Sequence, residues 1–157
     1  MKVFVGPSDT YMYVSNGTAL YYSVNFDVAS PSWTSVTDNI GAITDFDSDG
    51  TSVFVVDGSA KIDKGALGAT SLTSMTSSNL GAAKIRVISG RLIEMDGVHV
   101  AELAASGAHL SSSLDYDLKH GSSWVDAAAG PAGVYLASNT NDVGSVHFCG
   151  TDADGLL

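Results

Sequence analysis

Short apolar runs alternate with breaks rich in glycine, serine and aspartate along the whole chain. No run keeps the 3.6-residue spacing of an amphipathic helix over about ten positions, so the pattern predicts an all-β protein with strands of about four to six residues. The predicted strands are residues 2–5, 11–14, 19–24, 41–46, 52–56, 84–89, 91–95, 98–103, 123–127, 133–137 and 145–149.

Three dipeptides separate predicted strands, namely Asn16-Gly17, Asp57-Gly58 and Asp96-Gly97. Such pairs are preferred where both central residues of a two-residue turn have positive φ, which is the geometry of a type I′ hairpin. Each dipeptide therefore predicts a tight β-hairpin.

The hairpins repeat with a period of about 40 residues. The segment that starts at Tyr13 aligns with segments that start at Phe54 and Ile93, and a fourth copy starts at Tyr135. Repeats of this length, each with several short strands, are typical of β-propeller blades. We therefore predict a single all-β domain, 1–157, built as a β-propeller-like array of about four four-stranded units at approximately 1–41, 42–82, 83–122 and 123–157. A β-sandwich is the alternative, because it also contains regular short strands.

Four units are few for a propeller, because such rings close with about four to eight blades. Four units could close a ring alone, but we favour a larger ring that is completed by another copy of the chain or by further sequence, which would make the chain a subunit of a larger assembly. Within one chain, strands 2–5 and 145–149 are the candidates for the pairing that closes a ring and removes exposed edges.

Two stretches of the sequence resemble known propellers. Ser23, Asp27 and Trp33 follow the order of the Asp-box of sialidase-type (BNR) propellers, although the spacing is longer and the glycine is absent. Residues 84–97, with their Gly-Arg-Leu-Ile segment, resemble propeller-like modules of tail and virion proteins of tailed bacteriophages. The resemblance implies a non-enzymatic structural or host-contacting component of a phage tail or virion, made in the host cytoplasm. Its partners would be other virion or tail proteins, further copies of itself, or a host-surface glycan.

The chain is acidic, with 17 acidic and 7 basic residues and a formal net charge of -10. Without a basic surface to neutralise phosphates, nucleic acid and anionic membranes are not expected partners. No apolar run approaches the roughly 18 residues of a transmembrane helix, so we expect no membrane insertion. Motifs such as G-x-S-x-G and the P-loop are absent from the sequence, and we predict no enzyme and no catalytic residues. Glu94 alternates with Ile93 and Met95 and is expected to face solvent.

Three carboxylates precede a glycine at alternate positions, Asp45, Asp47 and Asp49. This is how the calcium loop of an EF-hand begins, and it makes calcium the one candidate cofactor. The later ligand positions, however, are Val53 and Val56, which cannot bind the ion. A solvated acidic turn is the alternative, because aspartate and glycine are preferred between strands.

Aromatic residues cluster in the first unit, and a second tryptophan lies in the last one. The candidates for a glycan-binding or partner-binding surface are Tyr11, Tyr13, Tyr22, Trp33 and Trp124. Tyrosine and tryptophan rings can stack on sugars, which favours a carbohydrate-binding propeller, either lectin-like or derived from a glycosidase. A protein-interaction scaffold is a further alternative. The same rings could instead fill the space between adjacent units.

Overall fold

Four small antiparallel sheets make up the described part of the chain, and they confirm the all-β prediction. The computed structural model describes residues 1–37, 41–57, 61–75, 84–88, 90–103, 115–117, 122–130, 133–140 and 143–150. None of these residues is helical. A search of the same residues for a helix long and apolar enough to cross a membrane finds none.

Each sheet is a meander in which strands that are consecutive in the chain are also neighbours. Sheet I contains β1 (Lys2–Val5), β2 (Thr10–Ser15), β3 (Leu20–Ser23) and β4 (Thr34–Val36). Sheet II contains β5 (Asp45–Ser48), β6 (Ser52–Val56), β7 (Ile62–Ala66) and β8 (Thr73–Ser74). Sheet III contains β9 (Lys84–Ile88), β10 (Arg91–Met95), β11 (His99–Leu103) and β12 (Asp115–Asp117). Sheet IV contains β13 (Ser122–Gly130), β14 (Gly133–Thr140) and β15 (Val143–Gly150).

The expected pairing of the first and last strands does not occur in the described structure. Strand β1 pairs with β2, and β15 pairs with β14. Each repeat unit contains one sheet, except that β13 begins at Ser122, the last residue of the third unit. The sheets are therefore formed within the repeats and not between the two ends of the chain.

Four strands were not predicted from the sequence, namely β4, β7, β8 and β12. They are short or carry polar and glycine residues, as in the Ile-Asp-Lys-Gly-Ala sequence of β7. Strand β5 begins at Asp45, later than the apolar pattern predicted. For β5 and β7, pairing with the strongly apolar β6 compensates for weak strand propensity, and propensity alone does not detect such pairing.

The hairpin turns at Asn16-Gly17 and Asp96-Gly97 are wider than type I′ turns, so the prediction is wrong for these two, whereas Gly58 of the Asp57-Gly58 turn lies outside the described residues. Ser15 pairs with Leu20, which leaves four residues in the connection. Within it, Asn16 Oδ1 accepts hydrogen bonds from the backbone N–H groups of Thr18 and Ala19 at 3.0 and 2.9 Å. The asparagine thus acts as a side-chain cap of the turn, as asparagine and aspartate often do. Gly17 supplies the positive φ of 92°.

Three apolar clusters lie between the sheets and stack them in chain order. Between sheets I and II lie Tyr13, Leu20, Val36, Phe46, Val53 and Val55. Between sheets II and III lie Phe54, Val56, Ile62, Ile85, Leu92 and Leu103. Between sheets III and IV lie Ile88, Ile93, Met95, Val100, Trp124, Ala127, Val134 and Leu136. Sheets II and III therefore each have two buried faces, whereas sheets I and IV each pack through one.

Two of the hairpin turns also join successive sheets. The carbonyl of Gly17, after β2, accepts a hydrogen bond from the N–H of Ile43 at 2.8 Å as the chain approaches β5. The carbonyl of Gly97, after β10, accepts one from the N–H of Trp124 in β13 at 2.6 Å. The same contact thus occurs after β2 and after β10, and it helps to position sheet II on sheet I and sheet IV on sheet III.

Candidate interaction surface

A chain of ion pairs connects the first strands of the four sheets. Lys2 Nζ of β1 lies 3.1 Å from Asp45 Oδ1 of β5. The guanidinium of Arg86 in β9 binds the other oxygen of that carboxylate. Arg86 Nε also lies 2.6 Å from Asp126 Oδ1 of β13. The charge therefore alternates in sign from sheet I to sheet IV.

Arg86 is at the centre of this network, and its environment favours its charged form. Burial alone would lower the pKa of Arg86, but the hydrogen bond to Asp126 and the charges of Asp45 and Asp126 outweigh it and raise the pKa. For Asp126, burial opposes the charge, whereas the hydrogen bond from Arg86, the N–H of Ala127 and the charges of Arg86 and Lys84 hold the pKa below its usual value. The pair is thus fully ionised at neutral pH.

The three aspartates of the predicted calcium motif have separate roles in the structure. Asp45 and Asp47 contact neighbouring sheets. Asp45 forms ion pairs with Lys2 and Arg86, and Asp47 Oδ2 accepts a hydrogen bond from the N–H of Val87 in β9 at 2.8 Å. Asp49 caps the β5–β6 turn and accepts from Thr51 N and Ser52 N. Among the described residues, no three histidine, cysteine, aspartate or glutamate side chains form a group that could hold a metal ion. Calcium binding therefore stays a prediction from the sequence.

The tyrosines of the predicted binding surface form a cluster on the inner face of sheet I. Tyr13 is 0% exposed. The centre of the Tyr11 ring lies 6.4 Å from the centre of the Tyr13 ring and 5.8 Å from that of the Tyr22 ring. Burial raises the pKa of the Tyr13 phenol. The hydrogen bond from the Gly68 N–H lowers this pKa, whereas the neighbouring Tyr22 and Tyr11 raise it, and the net effect is a raised pKa. Tyr13 is therefore a core residue and cannot stack on a glycan. Tyr11 and Tyr22 are partly buried against the same core.

The two candidate tryptophans differ in exposure. Trp124 is buried between sheets III and IV, with its ring 5.2 Å from the ring of His147, so it is not a surface ligand contact. Trp33 precedes β4 and is 41% exposed. Of the five aromatic candidates, Trp33 alone is an exposed side chain, and Tyr11 and Tyr22 offer only part of their surface.

Glu94 is buried, so the prediction that it faces solvent is wrong. Strand alternation places it opposite Ile93 and Met95, as expected, but that face of sheet III packs on sheet II. On the other face, Arg91 Nε donates to Glu102 Oε1 at 2.8 Å, so the second glutamate is held in an ion pair. The sequence could not show that both faces of this sheet are covered.

An exposed apolar surface lies on sheet IV, on the side turned away from sheet III. Strand pairing places Ala128, Tyr135 and Phe148 side by side, and Ala137 beside Val146. Val146 is 72% exposed and Phe148 is 53% exposed. We define the outer face of sheet IV as Val125, Ala128, Tyr135, Ala137, Val146 and Phe148. A shallow depression on it is lined by Asp126, Tyr135, Ala137 and Val146, which brings the last charge of the ion-pair chain to its border.

Sheet I also has an uncovered side, opposite the one that packs on sheet II. Val3 pairs with Met12 and Val14 pairs with Tyr21, and Val5 follows Val3 by two positions, so all five share this side. Val5 is 75% exposed and Val3 is half exposed. We define the outer face of sheet I as Val3, Val5, Met12, Val14 and Tyr21. Sequence reasoning missed both outer faces, although the alternation of Val146 and Phe148 in β15 was a signal for one of them.

Comparison with known proteins adds no functional assignment. No protein-family model matches the chain. No curated protein is significantly similar to it.

Proposed function

We propose that the protein is a non-enzymatic structural or host-contacting component of a phage tail or virion. It acts by binding other proteins through the outer face of sheet IV, and its location is the virion. Its partners are other virion or tail proteins or further copies of itself. The sequence resemblance of residues 84–97 to phage propeller-like modules supports the setting.

The observation that carries this proposal is the exposed apolar outer face of sheet IV. Val146 and Phe148 together with Val125 expose large apolar side chains on one surface, with Asp126 at its border. Contiguous apolar surface on a water-soluble fold is typical of a protein contact.

The fold that we propose for this role is a propeller-like array. Three observations support it: each sheet is a meander, the sheets stack in chain order, and their first strands approach one another. Strand β9 contacts both β5 and β13, as inner strands of neighbouring blades would. A β-sandwich accounts for this less well, because it has two facing sheets and not four in sequence.

Carbohydrate binding is the second candidate, and the exposed Trp33 favours it. Tyr13 and Trp124 are buried, so a glycan site would depend on Trp33 with Tyr11 or Tyr22 at its side. Binding to a glycan array at micromolar protein, lost in Trp33→Ala, would support this function over the structural one. No glycan signal above that of the Trp33→Ala variant would remove it.

The proposed function is tested with particles of the phage whose genome encodes the chain. Gradient-purified particles are analysed by mass spectrometry, and we expect the chain at a fixed copy number per particle. The double variant V146D/F148D should be lost from particles, whereas Val28→Asp should be retained, because Val28 is an exposed valine outside both outer faces. Absence of the wild-type chain from purified particles would overturn the proposal.

A further inference from the structure

We infer that the outer face of sheet IV binds the outer face of sheet I of a second copy, head to tail. The inference rests on the proposed function, because it names the partner of the same surface. The repeat itself supports it, since each sheet inside the chain already packs on the next one through equivalent positions. A second copy would continue that packing beyond sheet IV.

One repeat position shows what is missing on sheet IV. Tyr13, Phe54 and Ile93 align in the repeat, and each is buried where its sheet packs on the following sheet. The fourth residue of the series, Tyr135, lies on the outer face and is only half buried. This aromatic side chain thus has the position of a core residue, but no sheet of the described residues covers it as its three equivalents are covered.

The next residue of each repeat shows that sheet I has a corresponding exposed face. Val55, Glu94 and Leu136 are buried, and each lies on the face of its sheet that packs on the preceding sheet. Their equivalent in sheet I, Val14, is only half buried. Together with Val3 and Val5 it forms an apolar face of the type that packs on a preceding sheet in the other three repeats.

The charges at the two ends of the array are complementary. Asp45 and Arg86 each contact charged partners on both neighbouring sheets. Lys2 and Asp126 are the two ends of this alternating chain and have opposite signs. The Asp126 side chain is 51% exposed, whereas that of Asp45 is 14% exposed. A head-to-tail contact would bring Lys2 of the second copy towards Asp126 and continue the alternation with the correct sign.

Such a contact joins two different surfaces, so it produces a closed ring or an open filament. Two copies of the four-sheet array supply a number of sheets at which propellers close, about eight. The two outer faces are then both buried, which removes the exposed apolar surface of each copy. The ring of two copies is the arrangement that satisfies all four outer faces at once.

The test measures the molar mass of the full chain by light scattering coupled to size exclusion, at about 20 and 200 µM. We expect wild type to have at least twice the mass of the 16.1-kDa chain. The variants V146D/F148D and V5D should each lose the assembly, and Val28→Asp should keep it. All variants are first checked for an unchanged far-UV spectrum and melting transition, and their substituted side chains are exposed, so folding should be preserved.

Mixing the two assembly-deficient variants gives the decisive result. V5D retains an intact sheet IV face and V146D/F148D retains an intact sheet I face, so the mixture should form a heterodimer at 200 µM through one restored contact. A monomeric wild type, an unchanged V5D assembly, or a mixture that stays monomeric would each overturn the inference. An assembly that is absent from phage particles would remove the proposed function alone. A monomer whose V146D/F148D variant is lost from particles would remove the inference alone.

Discussion

The phenolic oxygen of Tyr13 accepts a hydrogen bond from the backbone N–H of Gly68 at 2.9 Å. This bond joins the buried centre of sheet I to the connection between β7 and β8 of sheet II. Gly68 has a φ of 80°, and a Cβ atom there would lie 2.7 Å from Tyr11 Cε1. Glycine is therefore required at this position for two separate reasons, the backbone conformation and the contact with the tyrosine ring.

Substituting Gly68 by alanine should destabilise the protein more than the same change at Gly17. Both glycines have positive φ, which costs an alanine about 1–2 kcal/mol. A Cβ at Gly17 meets nothing within 4 Å, whereas at Gly68 it must also displace Tyr11. We expect a loss of about 1 kcal/mol for Gly17→Ala and about 2–4 kcal/mol for Gly68→Ala, measured by urea denaturation. Equal losses would show that the ring contact does not constrain Gly68.

Removing the Tyr13 hydroxyl should cost about 1–2 kcal/mol, because the Gly68 N–H loses its acceptor in a buried site. The pH dependence gives a second readout. The folded-state pKa of Tyr13 is raised, so burial of the neutral phenol contributes to the free energy of unfolding. This contribution is fully present below the ordinary pKa of about 10 and is lost as the pH rises above it. Tyr13→Phe should therefore lose less stability than wild type between pH 9 and pH 11. Parallel curves for the two proteins would contradict this.

The all-β class and the antiparallel hairpins could be predicted from the sequence because the signal is local. The alignment of Tyr13, Phe54 and Ile93 marks the same strand in successive units, and each hairpin forms between neighbours in the chain. Local contacts of this kind leave a period-2 pattern and turn residues in the sequence. The all-β class and the antiparallel pairing follow from these features.

Side-chain environments between sheets could not be predicted in the same way. Asp45 lies 41 positions from Arg86, and nothing in the acidic motif indicates that a guanidinium from the next sheet would bind it. Likewise, Glu94 alternates with apolar neighbours as a solvent-facing residue would, yet its face is covered by sheet II. Whether a polar strand residue meets water or another sheet depends on contacts between units, which propensity does not encode.

The two ion pairs of Arg86 should contribute unequally to stability. The pair with Asp45 is largely shielded from water, whereas the Asp126 side chain is half exposed. We expect Arg86→Ala to cost about 3 kcal/mol, because it leaves a shielded carboxylate without its main partner. Double-mutant cycles should give a coupling of about 1–3 kcal/mol with Asp45 and below about 1 kcal/mol with Asp126. A larger coupling with Asp126 would contradict the exposure argument.

Acid should remove the contribution of Asp126. Its folded-state pKa is lowered, so the stabilisation is present above the unfolded value of about 3.9 and is lost as the pH falls through the folded value. At pH 7, Asp126→Asn should be less stable than wild type by up to about 1 kcal/mol, and the difference should shrink as the pH falls below the unfolded value of about 3.9. Asp27→Asn, which removes a charge from an exposed loop, is the matched control and should change little. A difference that stays constant as the pH falls below about 3.9 would show that the variant acts through something other than the charge.

Calcium should not stabilise the protein, because the carboxylates of the Asp45-Asp47-Asp49 motif are already engaged. Asp45 binds Lys2 and Arg86, and Asp49 caps a turn through its Oδ1 atom. To bind Asp45, a calcium ion would have to displace Lys2 and Arg86. If calcium did bind, a free concentration one hundred times its Kd would stabilise the folded state by about 2.7 kcal/mol. We therefore expect the same melting temperature, within about 1 °C, in about 5 mM calcium chloride and in excess chelator. A rise of several degrees in calcium that is lost in Asp47→Asn would show that the motif binds the ion and that the ion pairs rearrange.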